Sequence, residues 1–390
     1  MELRNSAKIT RRQFVKGCLS GAAGMTLAPF VLDLSRSSAH AAARQRGGPG
    51  FAEPHEAMYY KVMDSGAIRC ELCPRHCVLH EGMRGFCRAR EPKGGKLYSF
   101  VYGNPTAVHV DPIEKKPFYH LLPGTSSFSI ATAGCNYRCK YCQNWEISQF
   151  KPEETVNQDL PPQSVVDGAL RYKCRTIAYT YTDPAIFYEY MRDTSLLAKA
   201  RGILNVSRTN GSLNPEPIKE MAGFLDATNI DLKGFDQAFY SSVPEGYLKP
   251  VLDNIIYLKK RKVHIELTNL IVPTLNDDMT TIRKMCKWIH DEAGKEVPVH
   301  FSRFHPTYKL RNLPPTPVAT LERARSVAFE EGLEFVYIGN VPGHEANNTY
   351  CPNDKKLLIQ RAGYRTLENN IEKGKCKFCG YGIYGVWDKA

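Results

Sequence analysis

Three cysteines lie close together on one short stretch of the chain, with C-x₃-C-x₂-C spacing: Cys135, Cys139 and Cys142. The stretch follows an apolar run over residues 128–133, which predicts a buried strand, and Gly134 between the two permits a sharp bend. Three thiolates on one loop can bind three irons of a [4Fe–4S] cluster and leave the fourth iron without a protein ligand. Such an iron can bind a chelating substrate or cofactor.

A zinc site and a disulfide are the alternatives for this loop. Structural zinc usually has four protein ligands, whereas the loop supplies three cysteines and Asn136, whose amide is a poor ligand. A disulfide would leave one of the three thiols unpaired. The spacing and the preceding strand therefore favour the cluster.

Four further thiols lie upstream, within eighteen residues: Cys70, Cys73, Cys77 and Cys87. Cysteines grouped at C-x₂-C spacing favour metal binding over disulfides. Four thiolates can complete either a structural zinc site or a whole cubane. The segment predicts a second metal site of unassigned metal, and free thiols without a metal are the alternative.

A third group lies near the C-terminus and has the spacing of two halves of a zinc ribbon: Cys351, Asp354, Cys376 and Cys379. Asp354 stands where a C-x₂-C pair would place a fourth cysteine. Because a carboxylate can bind zinc, the group predicts a Cys₃Asp zinc site, with a metal-free knuckle as the alternative.

Apolar runs and helical periodicities alternate from residue 128 onward. The strand candidates are 128–133, 176–181, 203–209, 226–232, 263–272, 297–304 and 333–339. The helix candidates are 163–173, 184–200, 215–223, 250–261, 277–292 and 318–331. Strands that are apolar throughout are typical of a buried parallel sheet, so the chain is predicted to be an α/β protein. The alternation of strands and helices predicts a (β/α) barrel, and in such barrels chemistry takes place at the C-terminal ends of the strands.

The first residues of the chain predict export. A T-R-R-Q-F string over residues 10–14 is followed by a weakly apolar segment and an A-x-A cleavage pattern at 39–41, which together indicate a twin-arginine signal. Export to the periplasm follows, with cytoplasmic retention as the alternative, and the interrupted apolar run predicts no stable transmembrane span. Residues 1–46 carry half of the net charge of +12, so no nucleic-acid partner is predicted.

Two longer strings accompany the three cysteines, D-P-I-E-K-K-P-F-Y-H over residues 111–120 and Q-N-W-E-I-S-Q over residues 143–149. With the aromatic Tyr141 before the last cysteine, they resemble radical S-adenosylmethionine (SAM) enzymes. They are most similar to the AmmeMemoRadiSam-system type, which is related to pyruvate formate-lyase activating enzyme. The resemblance covers roughly residues 60–390 and implies a partial (β/α)6 TIM-like barrel with small Cys-rich N- and C-terminal appendages.

The predicted segments follow from these patterns: a signal peptide over 1–42, a linker over 43–58, a Cys-rich segment over 59–126, the barrel over 127–345 and a zinc-ribbon-like knuckle over 346–390. The resemblance also implies cofactor-binding residues at the strand ends: Tyr141, Thr180, Thr182, Asp183, Thr209, Asn210, Asp231, Lys233 and His300. Related enzymes carry a G-G-E-P segment where this chain has T-Y-T-D-P, over residues 180–184. Several of these residues have structural alternatives: Asp183 as a helix cap before a proline, Asn210 as part of an ordinary turn with Gly211, Asp231 and Lys233 as an ion pair, and His300 as a core residue.

The function that the resemblance implies is radical generation. A low-potential one-electron donor reduces the [4Fe–4S] cluster, SAM is cleaved to methionine and a 5′-deoxyadenosyl radical, and the radical abstracts hydrogen from a substrate. By analogy with activating enzymes, the substrate is a protein or peptide, with a Memo-like protein as one candidate partner. The alternative is a non-catalytic iron–sulfur or zinc protein that transfers electrons or serves as a scaffold.

Overall fold

The structure, a computed structural model, describes residues 47–388, so the predicted signal peptide lies outside the described residues. Short strands precede the barrel: β1 (Gly47–Pro49), β2 (His55–Glu56), β3 (Tyr60–Val62), β4 (Ile68–Cys70), β5 (Val78–Leu79), β6 (Arg90–Lys93) and β7 (Lys96–Ser99). The segment predicted as a linker, 43–58, contains β1 and β2, and β2 pairs with β7. Residues 47–58 are therefore part of the folded structure.

The next strands build the barrel: β8 (Ala107–Pro112), β9 (Ser126–Ala131), β10 (Val156–Gln158), β11 (Thr176–Tyr179), β12 (Leu204–Thr209), β13 (Ala227–Asp231), β14 (His264–Ile271), β15 (Val299–Arg303) and β16 (Val336–Gly339). All except β10, which pairs with β1, form one sheet in the order β16-β15-β14-β13-β12-β11-β9-β8. The sheet is open because its two edge strands do not pair with each other.

The partial TIM-like barrel is thus confirmed, with two differences from the expectation. Within residues 47–388 the main sheet has seven parallel strands rather than six, in agreement with the seven strand candidates. The eighth strand, β8, runs antiparallel to β9 and lies before residue 127, where the barrel was predicted to begin. His109 and Asp111 interrupt its apolar residues, which is why the apolar pattern does not mark it.

Helices connect the parallel strands: α1 (Trp145–Ser148), α2 (Pro162–Arg171), α3 (Tyr188–Ala200), α4 (Pro215–Phe224), α5 (Gln237–Ser242), α6 (Leu248–Lys260), α7 (Met279–Trp288) and α8 (Val318–Glu330). Two of them begin at a capping aspartate, as expected from the sequence preference for Asp at this position. The Asp236 side chain accepts from the Phe239 amide, and the Asp278 side chain accepts from the Thr281 amide. In the described residues no helix has the length and hydropathy that a membrane span requires.

A buried polar network joins the barrel strands to the loop that precedes β9. The Glu266 carboxylate on β14 is fully buried and accepts from the Tyr119 and His120 amides at 3.0 and 2.8 Å. It also lies 2.7 Å from the His300 ring and 3.2 Å from the His264 ring. Although burial opposes its ionisation, both histidines hold the pKa of Glu266 well below its ordinary value. The network fixes the loop against the strands.

Short antiparallel strands follow the barrel: β17 (Thr349–Tyr350), β18 (Leu357–Ala362), β19 (Arg365–Asn369), β20 (Ile371–Glu372) and β21 (Lys375–Cys376). This region packs on the barrel through its own apolar cluster, in which Ile359 and Ile383 join Phe335 and Tyr337 of the last parallel-strand region. The Arg361 guanidinium donates to the Tyr119 carbonyl at 2.8 Å. The C-terminal region is therefore attached to the same loop that Glu266 holds.

Candidate functional site

A cavity of about 850 Å³ opens at the C-terminal ends of the parallel strands. This is the end of a barrel where catalytic residues are found, and the volume lies within the usual range of ligand pockets. The cavity is bordered by residues predicted from the sequence to bind metal or cofactor: Cys135, Cys139, Tyr141, Cys142, Thr180, Thr182, Asp183, Thr209, Asn210, Asp231, Lys233 and His300.

The three-cysteine loop follows β9 directly and is fixed by backbone hydrogen bonds. The Arg138 and Lys140 amides donate to the carbonyls of Pro244 and Val243 at 3.0 and 3.1 Å. Gly134 has a φ of +90°, and a Cβ there would lie 2.3 Å from the Cys87 carbonyl oxygen. Only glycine fits this position because both the backbone conformation and the available space exclude a side chain.

Of the three cysteines of this loop, Cys139 is buried and Cys135 and Cys142 are half-buried. Burial raises the pKa of the Cys139 thiol to about 12, although Lys233 opposes the shift. Burial likewise raises the pKa of Cys135 and Cys142. Since metal ligands must be thiolates, these sulfurs need strong positive charge beside them, and irons of a cluster would provide it. The residues therefore fit a cluster held by Cys135, Cys139 and Cys142.

Tyr141 gives a second sign of a ligand in the cavity. Its side chain is 4% exposed, and its hydroxyl has no hydrogen-bond partner among the described residues. A buried hydroxyl without a partner costs free energy, so a bound molecule that accepts its hydrogen bond would remove that cost.

A buried hydrogen-bond chain connects the cysteine loop to β12 and to the residues after β11. The Asn210 side-chain amide donates to the Asn136 side-chain oxygen at 2.7 Å, and the Asn210 backbone amide donates to the Asp183 carboxylate at 2.6 Å. Asp183 also accepts from the Ala185 amide at 2.9 Å and from the Thr209 hydroxyl at 3.1 Å. Asp183 is therefore a helix cap, as the structural alternative predicted, and it also fixes the position of β12.

Two threonines that follow β11, Thr180 and Thr182, also border the cavity. Thr182 is buried, and its hydroxyl donates to the Thr132 carbonyl at 2.9 Å. The Thr180 amide donates to the Ile130 carbonyl at 3.0 Å. The Thr180 backbone bond continues the pairing of β9 and β11, and the Thr182 side chain joins the residues that follow these two strands.

Three charged side chains form an ion-pair group on β12, β13 and the residues after them. The Asp231 carboxylate lies 3.1 Å from the Lys233 ammonium and 3.3 Å from the Arg208 guanidinium. Burial opposes ionisation of Asp231, but these two cations hold its pKa below the ordinary value. The predicted ion pair is present and borders the cavity, with one more cation than anion. It can complement a ligand that carries both a carboxylate and an ammonium group.

His300 lies at the inner wall of the cavity, and its ring is already engaged. Its Nε2 contacts the Glu266 carboxylate, and its ring stacks on Tyr337 with the centroids 5.1 Å apart. The structure thus places it as a core residue that also borders the cavity.

Two residues of the loop before β9 also border the cavity and were not singled out from the sequence: Lys116 and Glu114. Lys116 is buried, contacts the Asp111 carboxylate and lies 3.1 Å from the Tyr181 hydroxyl. Burial lowers the pKa of Lys116 to about 8, although Asp111 opposes the shift. One oxygen of the fully buried Glu114 carboxylate lacks a partner among the described residues. Arg208 also borders the cavity, at a strand end where the sequence predicts SAM contacts, whereas the two loop residues carry no such signal.

The C-terminal group assembles into a compact set of donor atoms. Among residues 47–388, it is the one group of three or more candidate metal ligands whose donor atoms all lie within 4.8 Å of one another: Cys351, Asp354, Cys376 and Cys379. The sulfurs of Cys351 and Cys379 are 3.6 Å apart. Tetrahedral zinc with bonds of about 2.3 Å places its sulfur ligands at roughly this separation. The donor set fits a single zinc ion.

The amino-acid sequence is similar to a known family and to several known proteins. A model of the radical SAM superfamily matches residues 129–289. The uncharacterized protein MJ0808 of Methanocaldococcus jannaschii is 49% identical over 327 residues, which are 83% of this chain and 97% of that protein. A pyruvate formate-lyase-activating enzyme of Listeria monocytogenes is 23% identical over 181 residues, covering 42% of this chain and 68% of that enzyme.

A solved structure is also similar in part. The crystal structure of Streptococcus suis SuiB bound to S-adenosylmethionine aligns with a TM-score of 0.44 and 9% identity, covering 62% of this chain and 56% of that one.

Proposed function

Because the chain belongs to the radical SAM superfamily, we propose that its cavity binds SAM beside a [4Fe–4S] cluster on Cys135, Cys139 and Cys142 and carries out reductive SAM cleavage. The family makes the chain an enzyme and implies both cofactors. The observation that carries the proposal is the position of three thiols, one buried and two half-buried, at the edge of a large cavity lined by charged groups. Three thiols leave one iron of a cubane for a ligand other than the protein.

When bound, the reduced cluster would supply the one electron that cleaves SAM to methionine and, with a hydrogen atom taken from a substrate, 5′-deoxyadenosine. The chain itself binds, orients and excludes water. Lys233 and Arg208 match the carboxylate of SAM, and the Asp231 carboxylate matches its ammonium group. Tyr141 offers its free hydroxyl, and the buried Asn136–Asn210–Asp183 chain keeps the cysteine loop in place.

For the second substrate we propose a protein or peptide, as the name of the Listeria relative suggests for that enzyme. The cavity, at about 850 Å³, lies near the upper end of the usual range of about 300–1,000 Å³ for ligand pockets. It therefore has room for SAM and for part of a second molecule. The turn between β18 and β19 contributes Gly363 and Tyr364 to its wall, so the C-terminal region would contact that molecule. The AmmeMemoRadiSam-type assignment and a Memo-like partner remain predictions.

Reconstitution under anaerobic conditions tests the reaction. Protein loaded with iron and sulfide, given dithionite and SAM, should form 5′-deoxyadenosine. Cys139→Ala should abolish this product, while Cys174→Ala, which removes a buried thiol outside the three groups, should retain it. Circular dichroism of both variants checks that they are folded. Formation of 5′-deoxyadenosine by Cys139→Ala would show that the cluster loop is misassigned, and its absence in the unchanged protein would favour a non-catalytic metal protein.

Export through the twin-arginine signal is a separate proposal, since the signal lies outside the described residues. Changing Arg11 and Arg12 together to lysine should keep the protein in the cytoplasmic fraction, whereas the unchanged protein should reach the periplasm. Equal distribution of both proteins would contradict the proposal.

A further inference from the structure

We propose that Cys70, Cys73, Cys77 and Cys87 bind a second [4Fe–4S] cluster, ligated entirely by the protein, which passes electrons to the first cluster. The binding site stands independently of the reaction proposed above. Its role in electron transfer rests on that reaction.

The four thiols surround a shared space instead of meeting at one point. They line one small cavity together with the apolar side chains of Leu72, Leu79 and Ile186. Cys70 ends β4, and its amide donates to the Cys77 carbonyl at 2.9 Å. The short strands β3, β4 and β5 form one antiparallel sheet that fixes this arrangement.

The spacing of the donor atoms favours a cubane over zinc. A single tetrahedral zinc with bonds of about 2.3 Å requires its sulfurs to lie close together, as they do in the C-terminal group. Among the described residues, the C-terminal group is the one set of three or more ligand atoms that lies compactly enough to hold a single ion, and the four-thiol group is not a second such set. A cubane binds each thiolate through a different iron, so its ligands lie farther apart around an intervening core.

Arg90 gives an independent indication of a ligand in this cavity. Its side chain is 1% exposed and borders the cavity, and its Nε lacks a hydrogen-bond partner among residues 47–388. Its Nη1 lies 3.9 Å from the Cys70 sulfur and donates to the Met58 carbonyl at 2.8 Å. Four thiolates around a cubane carry net negative charge, and hydrogen bonds to the sulfurs tune its potential. The Glu189 carboxylate already supplies a counter-charge to this guanidinium, and a cluster would give its Nε the acceptor that it lacks.

The two cysteine groups are joined by a direct backbone contact. The Cys135 amide donates to the Cys87 carbonyl at 3.2 Å, so one hydrogen bond connects a ligand of one cluster to a ligand of the other. Arg75 adds a second connection, because its Nε donates to the Asn136 carbonyl at 2.7 Å. The exposed side chains of His76 and Val78 lie on the four-thiol segment. That segment can therefore face an electron-donor protein, whereas the three-thiol loop faces the cavity.

The electron balance of this relay is simple. A reduced low-potential donor of the flavodoxin class gives one electron to the four-thiol cluster and is itself oxidised by one electron. The four-thiol cluster returns to its oxidised state when it passes this electron to the three-thiol site. No bond is formed or broken in either step.

Iron analysis of the reconstituted full chain tests the site without any SAM chemistry. The unchanged protein should contain about eight irons, the sum of two cubanes, and the double variant Cys73→Ser/Cys77→Ser about four. Cys174→Ala serves as the matched control and should retain about eight. About four irons in both the unchanged protein and the double variant would overturn the proposal. Should the double variant fail to fold, the unchanged protein decides through its iron content and its Mössbauer spectra together. About four irons per chain, all in one [4Fe–4S] cluster, would overturn the proposal.

A comparison of two reductants tests the relay. Dithionite is small and can reach both clusters, whereas flavodoxin reduced by NADPH and its reductase must dock on the surface. In Cys73→Ser/Cys77→Ser, 5′-deoxyadenosine formation with flavodoxin should fall at least tenfold further than formation with dithionite. An equal loss with both reductants would overturn the relay. A complete absence of 5′-deoxyadenosine in the unchanged protein would instead contradict the proposed function, and the iron count would still report on the second cluster.

Discussion

The two cysteine groups beside β9 differ in the space that adjoins them. The three-thiol loop, Cys135 to Cys142, borders a cavity of about 850 Å³ that is lined by Asp231, Lys233 and Arg208. The four-thiol segment, Cys70 to Cys87, surrounds a small cavity with mainly apolar walls and the buried Arg90. The number of thiols thus matches the surroundings: three where a second molecule can enter, and four where the protein closes around the site.

This difference separates a reactive site from an electron-transfer site. A cluster with an open iron needs room for a chelating molecule and charges that match it, whereas a fully ligated cluster needs only burial and hydrogen bonds. The backbone contact between Cys87 and Cys135 keeps the two sites adjacent. Substitutions in one site should therefore have effects that the other site does not share.

Glu189→Ala should produce the largest fall in the free energy of unfolding, because it removes the partner of Arg90 beside the four-thiol segment. Glu189 pairs with Arg90, and both side chains are almost completely buried. Removing one partner leaves a buried charge unpaired, which costs about 3–5 kcal/mol. Chemical denaturation of the metal-free protein measures this loss. Glu330→Ala, which removes one partner of an exposed Arg283 pair, is the control and should cost far less. Similar losses for the two variants would show that the buried pair does not support the segment.

Gly134→Ala should push the three-thiol loop away from the backbone of the four-thiol segment. The new methyl group would lie 2.3 Å from the Cys87 carbonyl oxygen, at a φ of +90°, and backbone strain with a clash costs about 2–4 kcal/mol. Iron content and unfolding free energy should both fall. Gly82→Ala is the matched control, because Gly82 also has a positive φ, +75°, but has open space around it. It should lose about 1 kcal/mol and retain its iron. Equal iron content in the two variants would contradict the proposed contact.

Asp231→Asn should weaken SAM binding in the large cavity without removing iron. The loss of one charge-assisted contact corresponds to about 1.5–3 kcal/mol, or roughly a tenfold to hundredfold higher Kd. Isothermal titration of SAM into the reconstituted protein measures the Kd, and iron analysis checks the cluster. Asp253→Asn, in an exposed pair with Lys249, should bind SAM as the unchanged protein does. Unaltered affinity in Asp231→Asn would remove this residue from the binding site.

Tyr141→Phe should have the smallest effect. It should not lower the stability of the metal-free protein, but it should weaken SAM binding. The Tyr141 hydroxyl is buried without a partner in the described residues, so its removal should leave the metal-free protein equally stable or more stable by up to about 1 kcal/mol. If SAM accepts its hydrogen bond, affinity for SAM should fall by a few fold. A less stable metal-free variant would mean that the hydroxyl has a protein partner.

The barrel could be predicted from the sequence because strand candidates alternate with helix candidates along the chain, even though β14 carries the buried polar residues His264 and Glu266. The candidate at 128–133 corresponds to β9, Ser126–Ala131, and the candidate at 263–272 to β14, His264–Ile271. The cap at Asp183 was also visible, since it depends on the neighbouring proline alone. Local patterns of this kind determine local structure.

The contacts that organise the site could not be predicted, because they join residues far apart in the sequence. Arg90 and Glu189 are 99 positions apart, and Asn136 and Asn210 are 74 positions apart. Which polar side chains meet depends on strand order and register, and neither is encoded in a short window. Lys116 and Glu114 were missed for the same reason, since they lie in a loop whose position is set by Glu266 on a distant strand.

The central claim is that SAM binds at the three-thiol cluster, and electron–nuclear double resonance with labelled SAM tests it most directly. The reduced, reconstituted protein should show coupling between the unpaired spin and a ¹³C-carboxylate or ¹⁵N-amino label of SAM. The coupling should persist in Cys174→Ala and be absent in Cys139→Ala. A reduced cluster that shows no coupling to either label, or a coupling that remains after Cys139→Ala, would contradict the claim.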